Sequence, residues 1–221
     1  MSRLARWQEE RVPGSPWHNM AVDAALLSEV SEGRQSLPLI RLYQWDRPSV
    51  SIGRLQPEPP VRRLYPDLPC VRRPTGGRAV VHGADLTITA AARTDWFPDD
   101  AGRTILSSYR LLMAGLVTAL AEAGHETRFG AEKAHGGRGS LHCFDLAVGC
   151  DLVDARSGQK LVGSAQRREG DALLQQMSLP LALLPDLSAF LRSLRQGFGQ
   201  ALGVEEWLFI DTAAVICHTE N

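Results

Sequence analysis

The chain has 221 residues, 44% of them hydrophobic and 22% charged, with a formal net charge of −1. These values describe an ordinary globular protein whose core needs no disulfide or metal staple, and they leave no basic excess to favour nucleic acid. The opening residues hold no long apolar run, and no window approaches the roughly 20 apolar residues of a membrane span, so a cytoplasmic protein is expected. The four cysteines (Cys70, Cys143, Cys150 and Cys217) form no CxxC pair, which predicts reduced thiols and no structural metal.

In chain order, the spacing of Met20, Ala24 and Leu27 predicts a helix over about 19–30, with Asn19 as its N-cap. Short strand-like runs follow at 39–45, 49–52, 70–72, 79–82 and 86–92, punctuated by Gly, Pro and Asp. A second helix is expected over about 102–123, with a core stripe of Ile105, Tyr109, Leu112, Leu116 and Leu120 and a stop at Gly124. Residues 130–140 are glycine-rich and polar and read as a mobile loop. Strands at 144–153, 160–166 and 172–178 come next, then a helix from near Pro185 to Gly203, and a tail of uncertain order from Thr212. Hairpin-rich stretches between a few long helices imply a mixed-sheet α/β or α+β fold in a single domain.

Two stretches carry chemistry. In VRRPTGGRAVVHGADLTI (71–88), Pro74 breaks a strand, and Gly76 and Gly77 allow backbone N–H groups to face a ligand without a Cβ in the way. Arg72, Arg73 and Arg78 flank them, which suits a carbonyl, carboxylate or phosphate on an apolar ligand. The loop opens no helix, which excludes a P-loop or a dinucleotide-binding fingerprint. The plainer alternative is a hairpin turn with solvated arginines. His82 ends the second loop strand, either touching ligand or supporting the loop.

The second stretch runs from Leu141 to Leu179. A strand bearing Cys143 turns through 154–158 into a strand bearing Lys160, followed by Leu-Val-Gly163-Ser164-Ala165, small enough for an acyl chain to lie close. An ammonium beside a thiol favours the thiolate, and a desolvated lysine can act as a base, so Cys plus Lys is a workable pair for thioester exchange. The alternative is a buried Cys143 and a surface Lys160 closing a hairpin.

Together, HNMAVDAALL (18–27), IRLYQWDRPSVSIGRLQ (40–56), RRPTGGRAVVHGADLTI (72–88) and GQKLVGSAQRREGDALLQQMSL (158–179) resemble the lipoate–protein ligase A/octanoyltransferase family of the biotin/lipoate ligase superfamily, over about residues 15–200. The likeness is strongest to LipM-type octanoyltransferases, which place a Cys-Phe motif before the lysine hairpin, where Cys143-Phe144 stands. The resemblance implies the mixed-sheet ligase catalytic-domain fold, similar to class II synthetase cores. It implies Cys143 as acyl-thioester nucleophile and Lys160 as the group that lowers its pKa and moves protons. It also implies substrate binding by Arg73, Gly76, Gly77, Arg78, Ala79, His82, Gly163, Ser164 and Ala165. The reaction so implied moves octanoyl from acyl carrier protein to a lysine of a lipoyl domain of 2-oxoacid dehydrogenases or of glycine-cleavage H protein. It needs no cofactor or metal, no nucleic acid and no membrane, and a monomer is expected.

This chain departs from the family pattern in two motifs and in one spacing, the Cys143–Lys160 separation being about two residues longer than usual, consistent with a longer turn at 154–158. Gln175-Gln176-Met177 stands where a histidine-glycine pair usually follows the glutamine, and Asp145-Leu-Ala-Val-Gly-Cys150 replaces a Pro-Ser…Tyr-Glu pattern after Cys143-Phe144. The rival readings are an ATP-dependent lipoate or biotin ligase, an amidotransferase between lipoyl domains, and a non-catalytic acyl-binding member.

Overall fold

The computed structural model describes residues 3–130 and 151–211. In chain order its strands are β1 (Leu4–Glu9), β2 (Leu39–Tyr43), β3 (Ser49–Ile52), β4 (Cys70–Arg72), β5 (Val80–His82), β6 (Asp85–Arg93), β7 (Thr127–Phe129), β8 (Leu152–Asp154), β9 (Lys160–Glu169), β10 (Ala172–Pro180) and β11 (Glu206–Ile210). Its helices are α1 (Pro16–Ser31), α2 (Glu58–Leu64), α3 (Ile105–Glu122) and α4 (Leu187–Leu202). The large sheet has the order β11-β1-β2-β6-β10-β9-β8-β7, and a small one has the order β4-β3-β5. β1 runs parallel to both β11 and β2, while β2, β6, β10, β9, β8 and β7 are successively antiparallel. The sheet is therefore mixed, as expected.

Helices cover both faces of the large sheet, so the central strands β6 and β10 are buried almost end to end. Alternate residues divide between the two faces. Ile88 and Ala90 meet Leu112, Met113, Leu116 and Phe198 of α3 and α4, whereas Ala91 and Leu174 meet Leu27 and Val30 of α1. α3 and α4 cross where an added Cβ at Gly197 would stand 2.3 Å from the carbonyl oxygen of Gly115. By length and composition α3 is apolar enough to cross a membrane, contrary to the expectation from the sequence, but its apolar face is packed into this core.

Local signals account for most helix ends. Asp186 accepts the Ala189 N–H at the start of α4, and Gly203 ends it in the left-handed conformation at φ 66°. α1 begins earlier than expected: Ser15 is its N-cap and Pro16 its first residue. Asn19 is instead buried, its Nδ2 donating to the carbonyl oxygens of Gly14 and Gln44. Ile105 is 61% exposed and leaves the expected core stripe, because it lies in the first turn, ahead of the part of α3 packed on α4. Strands β1, β7 and β11 and helix α2 were not expected. Of the strand expected at 144–153, only its end, in β8, falls among the described residues. The tail from Thr212 and most of the 130–140 loop fall outside them.

Between α1 and the sheet lies a carboxylate with no exposure, Asp23. Its Oδ1 accepts from Arg41 Nη1 at 2.9 Å, and its Oδ2 from Tyr43 Oη at 2.8 Å, Thr89 Oγ1 at 2.9 Å and Gln176 Nε2 at 2.6 Å. Arg41, equally buried, also donates to Glu10 at 2.9 Å and lies over the Tyr43 ring. One side chain of α1 is thereby tied to β2, β6 and β10. Removing one partner of a buried pair strands the other. Asp23→Ala should therefore lower unfolding stability by about 3–5 kcal/mol, read from urea denaturation. A loss below about 1 kcal/mol would show the network to be dispensable.

Candidate active site

The glycine loop is built from its own carbonyls. Arg73, buried at the end of β4, donates through Nε and Nη2 to the Gly76 carbonyl at 3.1 and 2.7 Å, and through Nη2 to the Arg78 carbonyl at 2.6 Å. Its Nη1 donates to the backbone oxygen and Oγ of Ser51 at 3.0 and 3.1 Å. The guanidinium expected to face a ligand thus also holds the loop in shape. Gly77 adopts φ 88°, open to glycine at little cost. An added Cβ on Gly53 would lie 2.0 Å from the Gly77 carbonyl oxygen, so the turn after β3 needs its glycine to admit the loop.

The loop and small sheet stand over β9 and β10, leaving a slot between them. Its floor is Gly163 and Ala165, which pair with Ser178 and Gln176 and so share their face of the sheet. Its walls include Met20 of α1, Tyr43, Trp45, Val80 and His82. The space between these walls is narrow and admits little more than water. An alkyl chain is wider than water, so its entry must part the walls. Met20, an unbranched thioether 3.7 Å from the Gln176 amide nitrogen, is the side chain best able to yield.

Of the residues marked in the sequence, Arg73, His82, Gly163, Ser164 and Ala165 border the slot. Gly76, Gly77, Arg78 and Ala79 do not; Ala79 packs among Val50, Ile52 and Val61. Arg78 Nη1 and Ser164 Oγ are buried with no hydrogen-bond partner among the described residues, the condition a ligand's oxygen would relieve. The two departures at 176–177 face opposite ways, as strand neighbours must. Gln176 points to the slot, and Met177 joins the core with Ile88 and Leu179. The Gln176 amide accepts from Thr75 Oγ1 of the glycine loop and donates to Asp23, so the loop is threaded to the central network.

His82 completes the wall. It stacks on Trp45, with ring centroids 3.8 Å apart, and its Nδ1 lies 2.8 Å from Asp85 Oδ2 and its Nε2 2.7 Å from Ser51 Oγ. Burial first, and then the charge of Arg73, hold the imidazole below the ordinary histidine range, whereas bonds from His82, Gly83 and Ser178 hold Asp85 below the ordinary carboxylate range. A neutral ring therefore donates from Nδ1 to the carboxylate and accepts the Ser51 hydroxyl proton at Nε2. Asp85 also accepts from Thr87 at 3.2 Å and Ser178 at 2.7 Å. With these hydrogen bonds made inward, the slot offers its visitor mostly carbon.

Lys160 begins β9 with its side chain only 3% exposed, so the alternative of a surface lysine fails. Its Nζ lies 2.8 Å from Asp151 Oδ2, itself buried, a partner the sequence did not suggest. The turn from β8 into β9 is shaped by Asp154 Oδ1, which accepts from the N–H groups of Arg156 and Ser157, and by Gly158 at φ 73°. Cys143, together with His142 and Cys150, lies outside the described residues. Among the described residues no group of three His, Cys, Asp or Glu side chains is placed to hold a metal ion.

The profile of the lipoyl protein ligase A/B catalytic domain matches residues 15–204. The chain is 38% identical over 192 residues to the octanoyltransferase LipM of Kyrpidia tusciae, covering 81% of this chain and 67% of that one. To the octanoyltransferase LipM of Moorella thermoacetica it is 36% identical over 210 residues, covering 87% and 75%. The fold resembles a lipoate-protein ligase A bound with ATP (TM-score 0.69, 19% identity, 96% of this chain and 90% of that one). It also resembles a putative lipoate protein ligase of T. acidophilum with bound lipoic acid (TM-score 0.65, 19% identity, 96% and 91%).

The histidine wall has a pH signature. Because the folded His82 is depressed below the ordinary value of 6.5, the unfolded chain takes up its proton first as pH falls. The stability linked to His82 is thus present above pH 6.5 and is lost as pH falls toward the folded value. Urea midpoints between pH 8 and pH 5 should fall more steeply for the wild type than for His82→Asn; parallel slopes would remove His82 from the acid response.

Proposed function

Because this chain belongs to the lipoyl protein ligase A/B catalytic domain family, we propose that it is an acyltransferase that moves an octanoyl group from acyl carrier protein to a lysine of a lipoyl domain. The observation that carries this reading is a narrow, carbon-walled slot under a glycine loop in a chain 31–38% identical to proteins named octanoyltransferase LipM. Burial of the acyl chain in the slot contributes roughly 0.8 kcal/mol per methylene. That is enough to favour a medium chain over acetyl without a specific polar contact.

The chemistry runs through a thioester on the chain itself. The Cys143 thiolate attacks the octanoyl thioester, the tetrahedral oxyanion so formed collapses with cleavage of the carrier C–S bond, and the carrier sulfur leaves with the proton that the Cys143 thiol gave up. The acceptor lysine, as free amine, then attacks the octanoyl-Cys143 thioester, forming the amide and returning the thiol. Lys160, oriented by its 2.8 Å contact with Asp151, supplies positive charge beside the sulfur and the developing oxyanion. The acceptor is a lipoyl domain or the glycine-cleavage H protein, and neither ATP nor a metal takes part. An ATP-dependent ligase is the second reading, favoured by the likeness of fold to a lipoate-protein ligase A bound with ATP.

Mixing the chain with octanoyl-acyl carrier protein should add one octanoyl mass, labile to hydroxylamine. Cys143→Ala should abolish it, and Lys160→Ala, assayed at a temperature where the variant is folded, should slow transfer by about 10²-fold or more. An adduct that persists in Cys143→Ala, or lipoyl-domain modification that requires ATP, contradicts the scheme.

A further inference from the structure

A second, more open hollow lies against the slot, sharing His82 and Ser178 with it. From its position we infer that it holds the thiol-bearing arm of the acyl donor, a flexible amide-containing chain of the pantetheine type. This rests on the acyltransferase reading and extends it to the other half of the donor.

Strand register sets the direction. Along β9, Lys160 comes first, then Gly163 opposite Ser178, then Ala165 opposite Gln176. The inner end, at Gln176, is closed by the amide bridge from Asp23 to Thr75 and by Tyr43. The methyl end of an acyl chain therefore lies toward Gln176, and its carbonyl lies at the Gly163–Ser178 level, on the side of Lys160. A thioester continues from its carbonyl through sulfur into whatever space adjoins that level. The hollow, across the wall of His82 and Ser178, adjoins it.

Its lining fits such an arm better than a nucleotide. Pro48, Val81, Ala84 and Pro180 give it apolar flanks, and among the described residues no lysine or arginine lines it to meet a polyphosphate. The polar side chains at its base, His82, Asp85 and Ser178, bond to one another. Gly83 lies so close to Pro48 that an added Cβ would stand 3.0 Å from the Pro48 Cα. Val81, 45% exposed on β5, projects where a larger side chain would fill the space without entering the slot.

The test compares two donors in the full chain: octanoyl-pantetheine, and an octanoyl thioester of ethanethiol that lacks the arm. With the wild type, kcat/KM for formation of the acyl-enzyme should favour the arm-bearing donor. In Val81→Trp this preference should fall by about tenfold or more, mainly through KM, and Val81→Ile should keep it. Equal losses with both donors would overturn the proposal, as would an undisturbed donor step with slowed transfer from preformed acyl-enzyme to a lipoyl domain. Competition by ATP for the hollow would overturn it too. A wild type that takes octanoyl from neither donor would fell the acyltransferase reading itself, a result distinguishable from the loss of this site alone.

Discussion

A carboxylate buried between a helix and a sheet must have its oxygens filled, and Asp23 is filled from three strands at once. That requirement fixes how α1 sits on the sheet, because any shift of the helix would leave Asp23, Arg41 or both unpaired in a dry interior. It also fixes Gln176, whose amide cannot rotate without breaking its bond to Asp23 or its bond from Thr75. The glycine loop is thereby held over β9 and β10 from below, while Arg73 gathers its carbonyls from within.

The slot follows from this arrangement. Small residues at 163 and 165 leave a gap above the sheet, and the tethered loop keeps the gap from collapsing. Many polar side chains surround it, but Ser51, His82, Asp85, Thr87 and Ser178 bond among themselves. A site with polar residues in its sequence thus presents an apolar bore, which suits a hydrocarbon chain carried past a rigid, hydrogen-bonded frame.

Features encoded over a few neighbouring residues were legible in the sequence. The strands at 49–52 and 70–72, the turn at 154–158 and the left-handed stop at Gly203 depend on adjacent side chains and on glycine's freedom. The lysine hairpin and glycine loop were legible for the same reason. The Asp23 network was not, because its members are drawn from α1, β2, β6 and β10 and meet only after folding. Asp151 opposite Lys160 was hidden likewise. Asn19 looked like a cap because it precedes an apolar run, yet Ser15 and Pro16 supply the start and free Asn19 to bind two loop carbonyls. The altered residues at 176–177 could be noticed in the sequence, but only the strand's alternation shows that one serves the site and the other the core.

The thread from Asp23 through Gln176 to Thr75 is the part of this account on which the site most depends. Amide hydrogen exchange in Gln176→Leu compared with wild type tests it directly. Residues 75–80 should exchange markedly faster in the variant while β6 and α3 stay protected. Unchanged rates in the loop would mean that it is held by other means, and that the slot beneath it does not rely on the buried carboxylate.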